Sequence, residues 1–297
     1  MHQWEGTEVR NSAIRRGFAD IAEGQVHYRE AGRGLSAALP LVMLHASPGS
    51  AKLLEPLMRP LAARRHVLAL DTLGNGDSAA PQGDAPPISY FADAHLRALD
   101  ALGIGRFDLY GSHTGANIAC EITLAHPRRV RRLILDGVSL YSPEVQADML
   151  ANYAPGVTID LNGSQFHWIW HFVRDVYLFW PWYRRDAAHR RALGLPSADE
   201  LHDKVVEVLK AARTYHIPYR AAIGYDKEAR LPLVQVPTLL ACASGDMFME
   251  YFERVQRLMP AATPLVTKGT GGGEALLETV RGFEAFLDAP VPNSRAS

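Results

Sequence analysis

One short stretch restricts the fold more than any other feature of the 297-residue chain. The mostly apolar residues 107–110 lead directly into the sequence Gly-Ser-His-Thr-Gly at positions 111–115. A helical pattern follows over residues 114–125 and ends at His126-Pro127, because proline cannot continue a helix. Glycines at this spacing let a strand and a helix pack closely around a sharp turn. The pattern therefore predicts that His113 stands at the end of a sheet, above the N-terminus of a helix.

The rest of the chain alternates short apolar runs with longer helical segments. This alternation is typical of a mostly parallel sheet with helices on both faces. The runs typical of buried parallel strands are residues 41–44, 67–70, 107–110, 133–135 and 238–242. Residues 25–29 alternate as an antiparallel edge strand does, and residues 264–267 are predicted to form the last strand. Helices are predicted over residues 89–102, with Ser89 as N-cap, over 114–125 and over 274–287.

The alternation stops between residues 140 and 230, where aromatic residues crowd together. We interpret 140–230 as a helical cap inserted into a core domain formed by 1–139 and 231–297. A cap beside the carboxyl ends of parallel strands can line a ligand pocket. The aromatic content of this segment favours an aromatic or polycyclic substrate.

Four cap residues are expected in that pocket: Trp168, His171, Trp180 and Tyr183. His167 and His171 are four residues apart, a spacing that can ligate a metal ion. No acid accompanies them in an HExxH pattern, so we expect polar groups in an apolar pocket and no metal site.

Composition restricts the class of partner. The formal net charge is -1, which gives no field that would attract nucleic acid or an anionic membrane. A small-molecule substrate is therefore expected, without nucleic-acid or membrane binding. No apolar run reaches the roughly 18 residues of a membrane span, and the polar start of the chain does not resemble a targeting signal, so a cytoplasmic location is expected. Cys120 and Cys242 lie in apolar segments and are predicted to be buried free thiols. A homodimer is left open.

Two further stretches carry a family resemblance. Residues 45–50, His-Ala-Ser-Pro-Gly-Ser, follow one predicted strand, and residues 71–78, Asp-Thr-Leu-Gly-Asn-Gly-Asp-Ser, follow the next. With the turn at 111–115, they resemble motifs of capped α/β-hydrolases, a group that includes haloalkane dehalogenases, epoxide hydrolases, C–C hydrolases and many esterases. The resemblance covers roughly residues 20–140 and 232–288. It implies the α/β-hydrolase fold, with a mostly parallel eight-stranded sheet, and no cofactor.

The resemblance also implies site residues. The backbone N–H groups of Ser47 and Thr114 would form an oxyanion hole, and Asp246 would be the triad acid. His113 occupies the nucleophile position, where the family has serine, aspartate or cysteine. A bacterial subgroup with His-Thr-Gly-Ala at this turn is similar. Gly273 stands where the family has its catalytic histidine.

This pattern excludes the usual serine acyl-enzyme, because neither the serine nor its base is present. An imidazole at the position of His113 can instead take or give a proton near neutral pH, and the helix N-terminus favours its neutral form. Asp136 and Asp246 are the candidates to orient it, and the strand order favours Asp136.

Three further residues, His45, Ser112 and Glu274, are expected to line the substrate pocket. Glu274 is also a candidate base, because it adjoins the vacated histidine position.

Three functions remain open from the sequence. The first is a hydrolase or lyase that cleaves a carbonyl-type small molecule by acid–base chemistry of His113. The second is a catalytically degenerate relative that binds a ligand or partner. The third is a conventional esterase acting through Ser112, which requires the turn to shift by one residue against its two flanking glycines.

Overall fold

A computed structural model describes residues 13–192 and 194–290. Its strands are β1 Arg15–Ile21, β2 Gly24–Ala31, β3 Leu41–Leu44, β4 Val67–Leu70, β5 Phe107–Ser112, β6 Val130–Asp136, β7 Thr238–Ala243 and β8 Thr263–Thr267. They form one eight-stranded sheet in the order β1-β2-β4-β3-β5-β6-β7-β8. β1 and β2 pair antiparallel with each other, and β2 also pairs antiparallel with β4. All other neighbours are parallel, so the predicted fold class is confirmed.

Helices cover both faces of the sheet and form a separate layer beyond its carboxyl ends. They are α1 Glu55–Leu61, α2 Ile88–Ala101, α3 Thr114–Ala125, α4 Pro143–Asn152, α5 Ser164–Leu178, α6 Ala198–Lys210, α7 His216–Gly224, α8 Lys227–Arg230, α9 Phe252–Leu258 and α10 Gly273–Asp288. One apolar cluster joins α2 and α3 to the sheet, and a second joins α1 and α10 to its other face. Both faces of the central strands are therefore buried, which explains their continuous apolar sequences.

The helices between β6 and β7 have an apolar core of their own. It is built largely from aromatic side chains on α4 to α7 and the loops between them. Phe172 and Trp182, for example, stand 4.9 Å apart between ring centroids. Much of the aromatic content of residues 140–230 is thus used to hold this layer together.

The predicted element boundaries hold well in the centre of the sheet and less well at its edge. β3, β4 and α3 begin and end where the sequence predicts. β1 has no counterpart among the predicted strands, and α2 begins at Ile88 after Pro87 rather than after Ser89. Cys120 and Cys242 are buried free thiols, as predicted. No helix within the described ranges is long and apolar enough to cross a bilayer.

Candidate active site

The turn between β5 and α3 holds His113 in an unusual backbone conformation. His113 has a φ of 50°, and it is the only non-glycine residue with positive φ in the described part of the chain. A Cβ atom on Gly111 would lie 2.2 Å from the carbonyl oxygen of Gly115, and one on Gly115 would lie 2.3 Å from that of Leu44. The two glycines are therefore required by close backbone packing. They fix His113 at the apex, while Ser112 ends the strand.

The His113 ring is held by an acid from the loop after β7. Its Nε2 lies 2.8 Å from Oδ2 of Asp246. The other carboxylate oxygen of Asp246, Oδ1, accepts a hydrogen bond from the backbone N–H of Phe248 at 2.8 Å. The Phe248 ring packs on the imidazole with 4.5 Å between centroids. A neutral ring therefore donates from Nε2 and carries its lone pair on Nδ1.

Gly137 makes this contact possible. A Cβ atom at position 137 would lie 2.5 Å from Cδ2 and 2.6 Å from Nε2 of His113, and 3.5 Å from Oδ2 of Asp246. Gly137 also has a φ of 67°, which side chains other than glycine rarely adopt. Any side chain here would separate the imidazole from its carboxylate.

His113 and Asp246 shift each other's pKa. Burial disfavours the charged imidazole, but the charge and hydrogen bond of Asp246 outweigh it and raise the pKa of His113 above its usual value. Burial likewise opposes ionisation of Asp246, yet His113 lowers the pKa of that carboxyl. The carboxylate thus counteracts the helix N-terminus, which was expected to favour a neutral ring.

Asp136 does not orient the His113 side chain, so the preference for it from strand order is wrong. Its Oδ2 accepts a hydrogen bond from the hydroxyl of Tyr110 at 2.8 Å. Only its backbone oxygen contacts His113, accepting from the backbone N–H at 2.9 Å. Burial raises the pKa of the Asp136 carboxyl to about 6, with a further contribution from Asp246 against the lowering effect of Tyr110. This second acid therefore exchanges its proton near neutral pH.

Two cavities meet at His113. The larger, of about 100 Å³, lies under the cap between the loop at 46–48 and α5. Its walls are mostly apolar or aromatic and include Tyr153, Phe172 and Tyr219. The smaller, of about 20 Å³, is bordered by polar groups that include Asn117 and Ser139. A volume of roughly 150 Å³ is known to hold benzene, so a polycyclic body does not fit the larger cavity.

Ser47 and Thr114 border these cavities, and their backbone N–H groups are without acceptors in the described part of the chain. Ser47 lines the larger cavity and Thr114 the smaller one. The buried hydroxyl of Ser47 also has no partner within residues 13–192 and 194–290. Unpartnered donors beside an imidazole could stabilise an oxyanion.

Three residues that were expected in the pocket lie outside it. His45 is buried, with Nδ1 2.8 Å from the backbone oxygen of Ala46 and Nε2 accepting from the N–H of Thr72. His171 is exposed on α5. Glu274 is exposed and forms an ion pair with Arg281 at 2.6 Å, so it is neither a pocket residue nor a base for this site.

The four other expected pocket residues border neither cavity. Tyr183 donates its hydroxyl to Asp148 at 2.7 Å, and Trp168 packs within the aromatic core of the cap. Trp180 reaches the site only through the Phe248 ring, 5.6 Å away between centroids. Ser112 remains in the strand below the apex. The expected pocket lining is thus wrong for these four residues and for His45, His171 and Glu274.

Several lining residues were missed by sequence reasoning. Phe248 and Tyr219 border His113, and Lys204 on α6 reaches the same cavity as a cation. No motif marks these positions. The only available signal was that residues 247 and 248 closely follow Asp246.

One group in the described part of the chain could offer three metal ligands: His27, Asp71 and Asp77. Contacts within the protein instead occupy both carboxylate oxygens of Asp71. Its Oδ1 accepts from the backbone N–H of Ala51 at 2.7 Å, while Oδ2 meets His27 Nδ1 at 2.8 Å and the Asp77 N–H at 2.9 Å. These contacts brace the turn after β4.

Comparison of the sequence with known proteins gives matches of two kinds. A family model described as "alpha/beta hydrolase fold" matches residues 40–158. A relative from Pseudomonas putida, "2-hydroxy-6-oxononadienedioate/2-hydroxy-6-oxononatrienedioate hydrolase 2", is 36% identical over 259 residues, which cover 82% of this chain and 82% of the relative.

Two other relatives are matched over less of their length. "2-hydroxymuconate semialdehyde hydrolase" of Pseudomonas sp. (strain CF600) is 39% identical over 104 residues, which cover 34% of this chain and 37% of that protein. The match to "1-acylglycerol-3-phosphate O-acyltransferase" of Arabidopsis thaliana has 25% identity and covers 83% of this chain and 65% of that protein. The chain therefore spans less than two thirds of the length of these two relatives.

Solved structures agree on the architecture. The enol-lactonase from Burkholderia xenovorans LB400 superposes with a TM-score of 0.72 at 18% identity, covering 92% of this chain and 100% of that one. A hydrolase from Pseudomonas aeruginosa PA01 gives 0.69 at 18% identity, with 93% and 99% covered. At such identities the likeness concerns the fold alone.

Proposed function

We propose, on the premise that this chain belongs to the α/β-hydrolase family, that it hydrolyses a carbonyl-type small molecule by acid–base chemistry of His113. No cofactor and no serine acyl-enzyme take part. The observation that carries the proposal is the 2.8 Å contact between His113 Nε2 and Asp246, with the same imidazole bordering two cavities.

The contact leaves Nδ1 as the nitrogen available for proton transfer. No hydrogen bond joins Nδ1 to another residue in the described ranges, whereas Nε2 is engaged by the carboxylate. An acid that fixes the tautomer and stabilises the imidazolium is the usual support of a histidine base. Asp246 supplies that support directly.

The two cavities suggest places for the two reactants. The larger cavity would hold the substrate, with its carbonyl oxygen toward the N–H groups of Ser47 and Thr114. The smaller one exceeds the 10–15 Å³ or so that a single water needs and has polar walls. Room for water beside the base favours hydrolysis over a lyase reaction.

The proposed reaction has an addition step and an elimination step. His113 Nδ1 takes a proton from water while the water oxygen bonds to the carbonyl carbon, and the carbonyl electron pair moves to its oxygen. When the carbonyl re-forms, the bond to the leaving group breaks and the imidazolium returns the proton to that group. The products are a carboxylic acid and the protonated leaving group. A 2-hydroxy-6-oxo dienoic acid is one candidate substrate, because the relative from Pseudomonas putida is named as a hydrolase of 2-hydroxy-6-oxononadienedioate.

A screen of esters, enol-lactones, β-diketones and 2-hydroxy-6-oxo dienoic acids tests the proposal. We expect at least one substrate to be turned over, with kcat reduced by about 10²–10⁴ in His113→Ala, the range typical of general acid–base catalysis. Ser112→Ala serves as the matched control at the neighbouring position and should keep its turnover. Unchanged turnover in His113→Ala would contradict the proposal.

The esterase alternative has its own test. A fluorophosphonate probe labels an activated serine, and we expect no labelling, because Ser112 lies in the strand and not at the apex. Labelling that disappears in Ser112→Ala would establish the esterase instead.

One observation favours the remaining alternative, a ligand-binding protein without turnover. The raised pKa of His113 reduces the fraction of neutral imidazole near pH 7, so fewer molecules carry the ring in the form that accepts a proton. If the screen detects binding but no turnover at any pH up to 9, this alternative replaces the enzyme.

A further inference from the structure

We propose that the larger cavity recognises a carboxylate on its ligand, and that Lys204 on α6 is the residue that binds it. This inference rests on the proposed function only in placing the substrate in that cavity. Among the described residues that line the cavity, only Lys204 and His113 have basic side chains and none is acidic. The remaining walls are neutral and mostly apolar.

No other lysine and no arginine among the described residues 140–230 lines this cavity, and three of the arginines form ion pairs. Arg174 and Arg185 both pair with Asp175 at 2.7 Å, and Arg184 pairs with Asp148 at 2.9 Å. The charges of these three arginines are satisfied within the protein.

Lys204 differs from them. Among residues 13–192 and 194–290, no carboxylate lies within 4.0 Å of its ammonium group. The ammonium lies 5.0 Å from the centroid of the Tyr177 ring, a cation–π contact that restrains the side chain without neutralising its charge. An unpaired cation at an apolar wall attracts a complementary anion more strongly than one in open water.

The Asp246 carboxylate does not serve as that anion. Both of its oxygens are occupied, one by the imidazole and one by the backbone N–H of Phe248. The positive charge of Lys204 also acts on His113. It opposes protonation of the ring and so offsets part of the rise in the pKa of His113 that Asp246 causes. The cavity therefore combines a free cation at one wall with the imidazole at another.

The chemical class of ligand follows from the size and charge of the cavity. About 100 Å³ suits a short aliphatic chain. A small oxo acid would place its carboxylate at Lys204 and its carbonyl at His113. Selection for such acids over uncharged esters is the functional consequence.

Butyrate and butyramide form a matched pair of probes, because they share size and shape and differ in charge. We expect calorimetry at pH 8.5 to show butyrate binding at least about tenfold more tightly, as expected for a hydrogen bond to a charged group. Lys204→Met keeps the length of the side chain and should remove this preference, and Lys204→Arg should restore it.

Lys210→Met is the matched control on the same helix. Lys210 pairs with Asp77 and Glu207 outside the cavity, so its replacement should leave the preference unchanged. Thermal unfolding of each variant verifies that it is folded. A preference that persists in Lys204→Met, or equal affinities in the wild-type protein, would overturn the inference.

His113→Ala separates this inference from the proposed function. The preference for butyrate should persist in that variant, because the carboxylate is held by Lys204. If turnover never appears but the Lys204-dependent preference does, the proposed reaction fails while the carboxylate site stands. If turnover depends on His113 but the preference is absent, the carboxylate site fails alone.

Discussion

Replacing Gly137 with alanine tests whether the His113 and Asp246 pair exists as the structure places it. The new methyl group would lie 2.5–2.6 Å from two atoms of the imidazole, well inside van der Waals contact. The ring cannot simply rotate away, since the Phe248 ring packs on it at 4.5 Å between centroids. We therefore expect the substitution to break the 2.8 Å contact with Asp246.

The expected loss in the free energy of unfolding has two parts, and a control variant separates them. Alanine at positive φ costs about 1–2 kcal/mol by itself. Losing a hydrogen bond to a charged group costs about 1.5–3 kcal/mol more. Gly103 provides the control, because its φ of 72° nearly equals the 67° of Gly137 and its Cβ would meet nothing within 4 Å. Gly137→Ala should therefore lower the free energy of unfolding by about 1.5–3 kcal/mol more than Gly103→Ala does.

Urea titrations of both variants give the free energies, and an NMR titration of the His113 ring protons gives its pKa. The pKa of His113 should fall in Gly137→Ala, because the carboxylate that raises it is displaced. It should not change in Gly103→Ala. Equal destabilisation of the two variants, with an unchanged His113 pKa in both, would refute the assigned geometry.

Two further predictions concern the acids. In Asp246→Asn the pKa of His113 should fall, because the carboxylate charge and the charged hydrogen bond that raise it are lost, and an NMR titration of the ring protons measures the change. The pKa of Asp136 is about 6 in the folded state against 3.8 for a free carboxyl, so the folded protein holds this proton more tightly. The contribution of Asp136 to stability therefore falls by about 3 kcal/mol in total as pH rises from about 3 to about 7. Urea titrations across that range should show this fall in the wild-type protein and not in Asp136→Asn, and identical pH profiles would contradict the assignment.

The sequence predicts the centre of the sheet because burial there is uniform. β3 and β4 are covered by helices on both faces, so every residue is apolar and the run itself marks the strand. β1 was not predicted, because its residues are not uniformly buried. It lies at the edge, begins with Arg15 and Arg16, and is mostly exposed, so its pairing with β2 leaves little trace in hydrophobicity.

The candidate site, too, is only partly predictable from the sequence. Glycine spacing places His113 at the apex, because backbone packing alone demands it. The choice between Asp136 and Asp246 depends on side chains from different elements, above all on the Tyr110 hydroxyl that occupies Asp136. Lys204 comes from a cap helix whose position depends on aromatic packing, which no local pattern encodes.

Gly271, Gly272 and Gly273 lead into α10, and a Cβ atom on any of them would meet nothing within 4 Å. Because the acid of this site touches the apex residue directly, no side chain from this loop is needed to connect them. The loop therefore need not supply a catalytic side chain, and its composition is restricted mainly by the positive φ of Gly272 and Gly273, 92° and 58°. It is a suitable place to insert a fluorophore-binding peptide or an affinity tag without disturbing the imidazole.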